Sequence, residues 1–313
     1  MDWTQDGIVD ILSGCYWSDD ADAAHIQLLA GRGDMDFAPA KAVVTVAGVP
    51  LTNVKHEKDE NDPNDYELRN ICTHQFAVDY DADGDLDLVN GCFGAEFFFV
   101  EDTGGDGEPA LADVSEQLDL QVPGGHAGPH LADWDGDGDF DLLSGSGHGG
   151  AYLAENVGSR EKPEWAPFKE LIAPPRGSVY EQSTDDGGKI VPATSTRVWA
   201  YDWNQDGLLD LLVGDMTTIS NRKPGITPEE FAKRKAVYDR DLAEFQKSYQ
   251  EVSERYMEAM NNAKDGEVDE KLVEEFTQAS QGWSEIYEKK AEFQDERRTG
   301  FVWLYIRKPR SGE

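Results

Sequence analysis

A thirteen-residue phrase that occurs four times in this chain constrains its fold more strongly than any other feature. The phrase reads DWTQDGIVDILSG from Asp2, DYDADGDLDLVNG from Asp79, DWDGDGDFDLLSG from Asp133 and DWNQDGLLDLLVG from Asp202. In each copy, oxygen-bearing side chains stand at positions 1, 3, 5 and 9, and glycines stand at positions 6 and 13. Repetition of this kind indicates an array of similar structural units.

The spacing of the oxygen atoms predicts a cation-binding loop at positions 1 to 9 of each phrase. A hard cation such as Ca²⁺ takes about six to eight oxygen ligands, and a glycine at position 6 permits the sharp reversal that such a loop needs. Position 7 is expected to contribute its backbone carbonyl. The predicted ligands of up to four Ca²⁺ ions are Asp2, Thr4, Asp6, Ile8 and Asp10 in loop one; Asp79, Asp81, Asp83, Asp85 and Asp87 in loop two; Asp133, Asp135, Asp137, Asp139 and Asp141 in loop three; and Asp202, Asn204, Asp206, Leu208 and Asp210 in loop four.

Carboxylate count predicts a difference in affinity among the loops. At positions 1, 3, 5 and 9, loops two and three place four carboxylates each, and loops one and four place three. Tighter binding is therefore expected at loops two and three. The metal could serve a function or only hold the turn together. The second interpretation is favoured, because crowded carboxylates repel one another until a cation binds.

The EF-hand is the obvious alternative for such a loop, and the sequence excludes it. An EF-hand requires a glutamate at position 12 and a helix on either side. Position 12 is Ser13, Asn90, Ser144 or Val213, and positions 9 to 13 form a short apolar run that ends in glycine. Such a run is typical of a β-strand. Each loop is therefore predicted to join two strands, with a third strand following.

The core pattern D-x-[DNT]-x-D-G-x-x-D-[IL]-[LV] resembles the FG-GAP/VCBS repeat family, whose calcium-loop β-propeller repeats also form integrin α-chain heads. The resemblance covers roughly residues 1–225 and 299–313. It implies propeller blades with the metal loop between the first two strands of each blade. It also implies a role in adhesion or ligand binding, although a minority of members are enzymes that include polysaccharide lyases.

Four phrases are fewer than the usual number of blades in that family. The expected fold is mainly β, an incomplete or open β-propeller of about four blades with an inserted antiparallel α-helical hairpin. The first phrase begins at residue 2, so the chain is expected to be truncated at its N-terminus. Residues 1–225 are assigned to the blades, 226–298 to the hairpin and 299–313 to a returning strand of the last blade. The aromatic residues at position 2 are expected to pack between blades: Trp3, Tyr80, Trp134 and Trp203.

The insertion carries a helix start signal and two apolar stripes. Thr227 is the predicted N-cap, Pro228 the first helical residue and Glu230 the partner of a capping box. Apolar residues then recur at spacings of three, four and seven on either side of a break at Gly266. The two stripes are expected to bury each other, and a docking or oligomerisation surface remains the alternative.

Charge excludes one class of partner. A formal net charge of −35 is incompatible with nucleic-acid binding, which requires a basic face. No apolar stretch approaches membrane-spanning length. Because weak Ca²⁺ sites suit the millimolar Ca²⁺ outside cells, an extracellular, periplasmic or cell-surface location is expected.

A few histidines and one arginine lie near the loops. His126, His130 and His148 flank loop three, and His74 and Arg197 each precede the first aspartate of their loop by five residues. They could bind a transition metal or act as acid and base, although solvated or hydrogen-bonded structural histidines are more common.

The favoured functional interpretation is a non-catalytic, calcium-stabilised β-propeller module that recognises a protein or glycan. One alternative is a carbohydrate-active, lyase-like enzyme that uses a His/Arg/Tyr cluster. The other is a purely structural domain of a larger surface protein.

Overall fold

A computed structural model describes residues 1–16, 26–55, 68–104, 109–113, 115–263 and 268–309. Within these residues the chain is mainly β, with five sheets of mostly antiparallel strands and two long helices toward the C-terminus. The strands are β1 (Ile11–Gly14), β2 (Ile26–Leu29), β3 (Gly31–Gly33), β4 (Asp36–Phe37), β5 (Lys41–Ala42), β6 (His74–Val78), β7 (Asp87–Gly91), β8 (Glu96–Val100), β9 (Glu116–Gln121), β10 (Gly128–Ala132), β11 (Asp141–Gly145), β12 (Ala151–Ala154), β13 (Lys169–Ile172), β14 (Glu181–Gln182), β15 (Thr194–Tyr201), β16 (Asp210–Arg222), β17 (Gln294–Thr299) and β18 (Val302–Tyr305). The helices are α1 (Pro228–Asn262) and α2 (Glu270–Ala291), with short 3₁₀ turns at Leu68–Asn70 and Asp185–Gly187.

The chain divides into two compact units, the first comprising residues 1–180, 191–217 and 300–313. This first unit contains one sheet for each phrase. Sheet one has the strand order β1-β2-β5, sheet two β6-β7-β8-β9 and sheet three β10-β11-β12-β13. In sheet four, the first part of β16 pairs with β15 on one side and with β18 on the other.

Loops two, three and four each join two antiparallel strands in the same register, which confirms the predicted strand–loop–strand unit there. The residue before position 1 pairs with the aspartate at position 9, as in Val78↔Asp87 and Ala132↔Asp141. In loop one, Met1 takes the place of the residue before position 1, because the Asp10 amide donates to its carbonyl at 2.5 Å. The pairing beside position 9 therefore repeats in all four loops.

Successive sheets pack on each other through three apolar clusters, and the glycine at position 13 allows their close approach. A Cβ added at Gly14, Gly91 or Gly145 would clash with a backbone oxygen at or just before the first strand of the next sheet. Because glycine has no Cβ, the second strand of one sheet lies against the first strand of its neighbour. At Gly214, in sheet four, the nearest atom to an added Cβ is 3.9 Å away.

One face of sheet four is exposed where the equivalent faces of sheets two and three are covered. In sheet two, Phe76 and Phe97 pack into the cluster shared with sheet three. The equivalent residues of sheet four, Trp199 and Val302, are 56% and 75% exposed. Among the described residues, no further sheet covers this face.

Exposure of this face also determines which of the aromatic residues at position 2 of the phrases are buried. Trp3 and Tyr80 are buried in the clusters between sheets, and Trp134 packs partly against the third cluster. Trp203 is exposed, so the prediction that it packs between blades is wrong. The reason is its place in the last sheet of the series.

The second compact unit comprises residues 181–190 and 218–299 and contains both helices. Thr227 caps α1 as predicted, because its side chain accepts from the Glu230 amide at 3.2 Å. The predicted capping box is not formed, because the Glu230 carboxylate accepts from Arg234 Nε at 2.7 Å instead of from the Thr227 amide. In an α-helix each residue adds about 1.5 Å of length. The 35 residues of α1 and 22 of α2 thus span about 52 and 33 Å. The predicted break at Gly266 lies outside the described residues.

The aromatic stripes of the two helices face each other, which confirms that they bury one another. Tyr256 stacks on Phe276 with ring centroids 4.3 Å apart, and Phe245 meets Trp283 edge-on at 4.8 Å. Residue numbers fall along α1 as they rise along α2, so the helices are antiparallel. Neither described helix has an apolar stretch long enough to cross a membrane.

Candidate functional site

The four loops share one pattern of hydrogen bonds that holds the turn. The carboxylate at position 5 accepts from the backbone amide at position 7 at 2.8 to 3.1 Å in every loop. The carboxylate at position 1 accepts from the position-6 glycine amide in loops one, three and four, at 2.8, 3.2 and 2.9 Å. Position 6 has a φ of +86° to +103°, which glycine adopts without strain. The residues at positions 1, 5 and 6 therefore stabilise the turn itself, and the carboxylates at positions 1 and 5 are also available to a cation.

Loops two and three bring three carboxylates together. Asp79, Asp81 and Asp83 form one group, and Asp133, Asp135 and Asp137 form the other, each with one oxygen per residue within 4.8 Å of the others. Ca²⁺–oxygen distances of about 2.3–2.6 Å place two ligands of one ion at most about 5 Å apart. The spacing in both groups is therefore compatible with shared coordination. Position 3 is Thr4 in loop one and Asn204 in loop four, so those loops lack the third carboxylate.

Loops two and three also have an acidic side chain at position 7, where only the backbone carbonyl was predicted to bind metal. Asp85 and Asp139 are 7% and 9% exposed, and Oδ1 of each has no hydrogen-bond partner among the described residues. Burial, followed by the neighbouring carboxylates, raises the pKa of Asp85 to about 7 and that of Asp139 to about 6. A buried carboxylate without a partner is destabilising. A divalent cation in the same loop would offset that cost, so the residues present fit a metal ion.

The aspartate at position 9 has a structural role in every loop. Asp10, Asp87, Asp141 and Asp210 are all buried. One oxygen accepts from an amide near the start of the same loop, and the other accepts from an amide just beyond the third strand of the repeat, at 2.7 to 2.9 Å. These four aspartates belong to neither three-carboxylate group. Each of their oxygens has a second lone pair that could bind a cation, so they stay predicted ligands.

A separate cavity of about 200 Å³ lies in the first unit, among sheets one to four. His74, His130 and Arg197 line it together with Phe76 and Trp199. These residues come from the first strands of sheets two, three and four, so repetition of the fold brings them together. His126 takes part through its carbonyl, which accepts from Arg197 Nη1 at 3.5 Å. His148 is not among the residues that line the cavity.

Burial governs the protonation of the cavity. It lowers the pKa of His74 to about 3, with further lowering from the positive charges of Arg197 and His126, and lowers that of His130 to about 4. It also lowers the pKa of Arg197, to about 10. At neutral pH both histidines are therefore uncharged, and the arginine is the one full charge on the cavity wall.

Sequence patterns pointed to the metal loops but only weakly to the cavity. His74 and Arg197 occupy equivalent places five residues before their loops, and that shared offset was the available signal. A scan against protein-family models and a search of the curated proteins find no match to this chain.

Proposed function

We propose that this chain is a calcium-stabilised β-repeat module, an open arc of about four propeller blades, that recognises a protein or glycan ligand outside the cytoplasm. Calcium would occupy loops two and three most tightly and loops one and four more weakly. Its role would be to hold the loops and the strand ends that they join. Ligand recognition would use the surfaces that these loops support.

The observation that carries the calcium proposal is the set of unpartnered buried oxygens beside the two carboxylate groups. The loops place Asp83 near Asp85, and Asp135 and Asp137 near Asp139. No described basic residue neutralises Asp85 or Asp139 through an ion pair. An oxygen-rich, net negative site of this kind suits Ca²⁺ better than a softer transition metal, because its ligands are all carboxylates and carbonyls.

The repeated packing of the sheets supports the propeller arc. In three successive repeats the position-13 glycine meets the start of the next first strand, and the first strands of neighbouring sheets contact one another. Equal steps of this kind generate a curved array with the first strands on the inner side.

Exposed aromatic residues support the recognition role over a purely structural one. Trp199, Tyr201 and Trp203 are each more than half exposed and lie close in sequence. Aromatic side chains are enriched where proteins bind ligands, because they bury a large area at a small entropic cost. The cavity beside Trp199 adds a charged group to that surface.

Thermal unfolding with and without Ca²⁺ tests the proposal. A hundredfold excess of free Ca²⁺ over its dissociation constant stabilises the folded state by about 2.7 kcal/mol per site. For a protein of this size 1 kcal/mol corresponds to about 2–4 °C. Two occupied sites should therefore raise the melting temperature by at least about 10 °C over an EDTA-treated sample. Equal melting temperatures, together with no heat of Ca²⁺ binding, would refute the proposal.

A pair of variants separates a specific site from general acidity. The double variant Asp83→Asn and Asp137→Asn should lose most of the Ca²⁺-dependent stabilisation. The matched control Glu116→Gln with Asp119→Asn removes two charges from exposed strand positions outside the loops, and it should keep all of that stabilisation. Equal losses in both would assign the effect to screening of the net charge.

A carbohydrate-active enzyme is the second candidate, favoured by the convergence of His74, His130 and Arg197 in one cavity. Binding is the better supported function, because general acid–base catalysis needs a pKa near the working pH. The pKa values of about 3 and 4 for the two histidines are far from neutrality. Incubation with uronate-containing polysaccharides, followed by ultraviolet absorbance of new carbon–carbon double bonds, would reveal lyase activity.

A further inference from the structure

Arg197 is a partly buried cation without an acidic partner in a strongly acidic protein. The chain has 63 aspartates and glutamates against 28 lysines and arginines. Arg160, Arg222 and Arg234 each lie within 4 Å of a carboxylate. Arg197 makes no ion pair with any described residue, and no carboxylate influences its protonation. A largely desolvated charge that stays unpaired is costly, so the position of Arg197 requires an explanation.

The guanidinium of Arg197 has unused hydrogen-bond donors. Nη1 donates to the carbonyls of Thr196 at 2.7 Å and His126 at 3.5 Å, and Nη2 donates to Nε2 of His74. A guanidinium carries five N–H groups. Nε–H and one N–H of Nη2 therefore donate to no atom of the described residues. Donors on a guanidinium edge match the two oxygens of a carboxylate.

His130 contributes a further unused donor to the same cavity. Its Nε2 accepts from the Ala200 amide at 3.0 Å, so the proton of the neutral ring lies on Nδ1. That Nδ1 has no partner among the described residues, and the side chain is only 3% exposed. An unpaired buried donor destabilises a fold unless a ligand or water accepts from it. The ring packs against Phe76 and Trp199, which also line the cavity.

We propose that the cavity lined by Arg197, His130 and His74 is a binding site for a small organic carboxylate. This inference rests on the recognition role proposed above and names the class of ligand. The carboxylate accepts from the free N–H groups of Arg197 and from Nδ1–H of His130. Trp199 and Phe76 cover the apolar part of the ligand.

Size and charge favour a carboxylate over a phosphate. Pockets for drug-sized ligands enclose about 300–1,000 Å³, and this cavity of about 200 Å³ takes a group of a few heavy atoms or the acidic end of a larger molecule. A carboxylate has one negative charge, which Arg197 balances. Phosphate carries between one and two negative charges at neutral pH, and the two histidines that line the cavity are neutral.

Titration of the protein in saturating Ca²⁺ with sodium acetate tests the site, with acetamide as the neutral isostere and ionic strength held constant by NaCl. The readout is the indole N–H signal of Trp199 in ¹H–¹⁵N NMR spectra, assigned with a Trp199→Phe variant. Acetate should shift that signal saturably in the millimolar range, and acetamide should not. Inorganic phosphate should bind more weakly than acetate, and equal or tighter binding of phosphate would overturn the choice of a carboxylate.

Arginine variants test whether the Arg197 guanidinium is responsible for acetate binding. Arg197→Gln should weaken acetate binding at least about tenfold, because it removes a charge-assisted hydrogen-bond pair. Arg197→Lys keeps the charge and the fold but loses the paired donors, and it should also weaken binding. Arg307→Gln removes an arginine of the same unit that lies over Trp134, and it should bind acetate as the parent protein does.

Several results would overturn the inference. They are the absence of a saturable shift with acetate, a shift of equal affinity with acetamide, and undiminished binding by Arg197→Lys or Arg197→Gln. The Ca²⁺-dependent rise in melting temperature does not involve Arg197 and should persist in both variants. Absence of acetate binding by the parent protein, with that rise intact, refutes only the carboxylate site, whereas absence of the rise in the parent protein refutes the calcium proposal itself.

Discussion

Replacement of Asp141 by asparagine should destabilise the protein whether or not Ca²⁺ is present. Asp141 is buried, and its two oxygens accept from the amides of Trp134 at 3.0 Å and Asn156 at 2.9 Å. An asparagine side chain keeps one acceptor and turns an NH₂ group toward the other amide. One buried backbone N–H then has no partner.

The size of the destabilisation follows from the one backbone amide that loses its acceptor. An unsatisfied buried donor costs about 1–3 kcal/mol. Burial raises the pKa of Asp141 despite the two amide hydrogen bonds, so loss of its charge does not add to the cost. At about 2–4 °C per kcal/mol for a domain of this size, the melting temperature should fall by about 2–12 °C in EDTA.

Calorimetry in EDTA and in saturating Ca²⁺ measures this effect, and Asp137→Asn is the matched comparison. Asp137 is exposed, and its Oδ1 accepts from the Asp139 amide at 3.1 Å, a bond that asparagine can keep. In EDTA this variant should melt at or above the parent temperature, since it removes repulsion between neighbouring carboxylates. In Ca²⁺ it should melt lower, by about 1.4 kcal/mol of stability for each tenfold loss of affinity. Identical melting of the two variants in EDTA would refute the structural role assigned to Asp141.

Three further predictions concern other parts of the fold. Gly145→Ala places a Cβ against a backbone oxygen of β15 and should cost about 1–3 kcal/mol in urea unfolding, whereas Gly214→Ala, with its nearest neighbour at 3.9 Å, should change stability by less than about 1 kcal/mol. Thr227→Ala removes the side-chain acceptor at the start of α1 and should cost about 1 kcal/mol, seen as faster hydrogen exchange in the first turn. Burial lowers the pKa of His130 from 6.5 to about 4, so the folded state binds fewer protons than the unfolded state between these values. The stability from this residue is complete above pH 6.5 and is lost as the pH falls toward 4. His130→Gln should therefore reduce the pH dependence of the unfolding free energy near pH 5 by about 1.4 kcal/mol per pH unit, and an unchanged slope would contradict the assignment.

Local patterns determined much of this protein from its sequence alone. Each phrase has a short apolar run after position 8 and no glutamate at position 12. These two features predicted a loop between two strands, and the registers of sheets two, three and four confirm it. The start of α1 at Pro228 also followed from sequence, because capping depends on residues within one turn. These features involve neighbours along the chain, and the printed residues therefore specify them.

Only the tertiary structure decided which residues meet across repeats. The second hydrogen bond of Asp141 comes from Asn156, 15 residues away, and Arg197 reaches His74 across 123 residues. Trp203 has the same place in its phrase as the buried Trp3 and Tyr80, and it is exposed because sheet four is the last described sheet of the series. Such contacts depend on how sheets stack, and stacking is set by side-chain volume and the missing Cβ atoms at the position-13 glycines. The repeated phrase thus specifies each unit, and the packing between units determines where a ligand could bind.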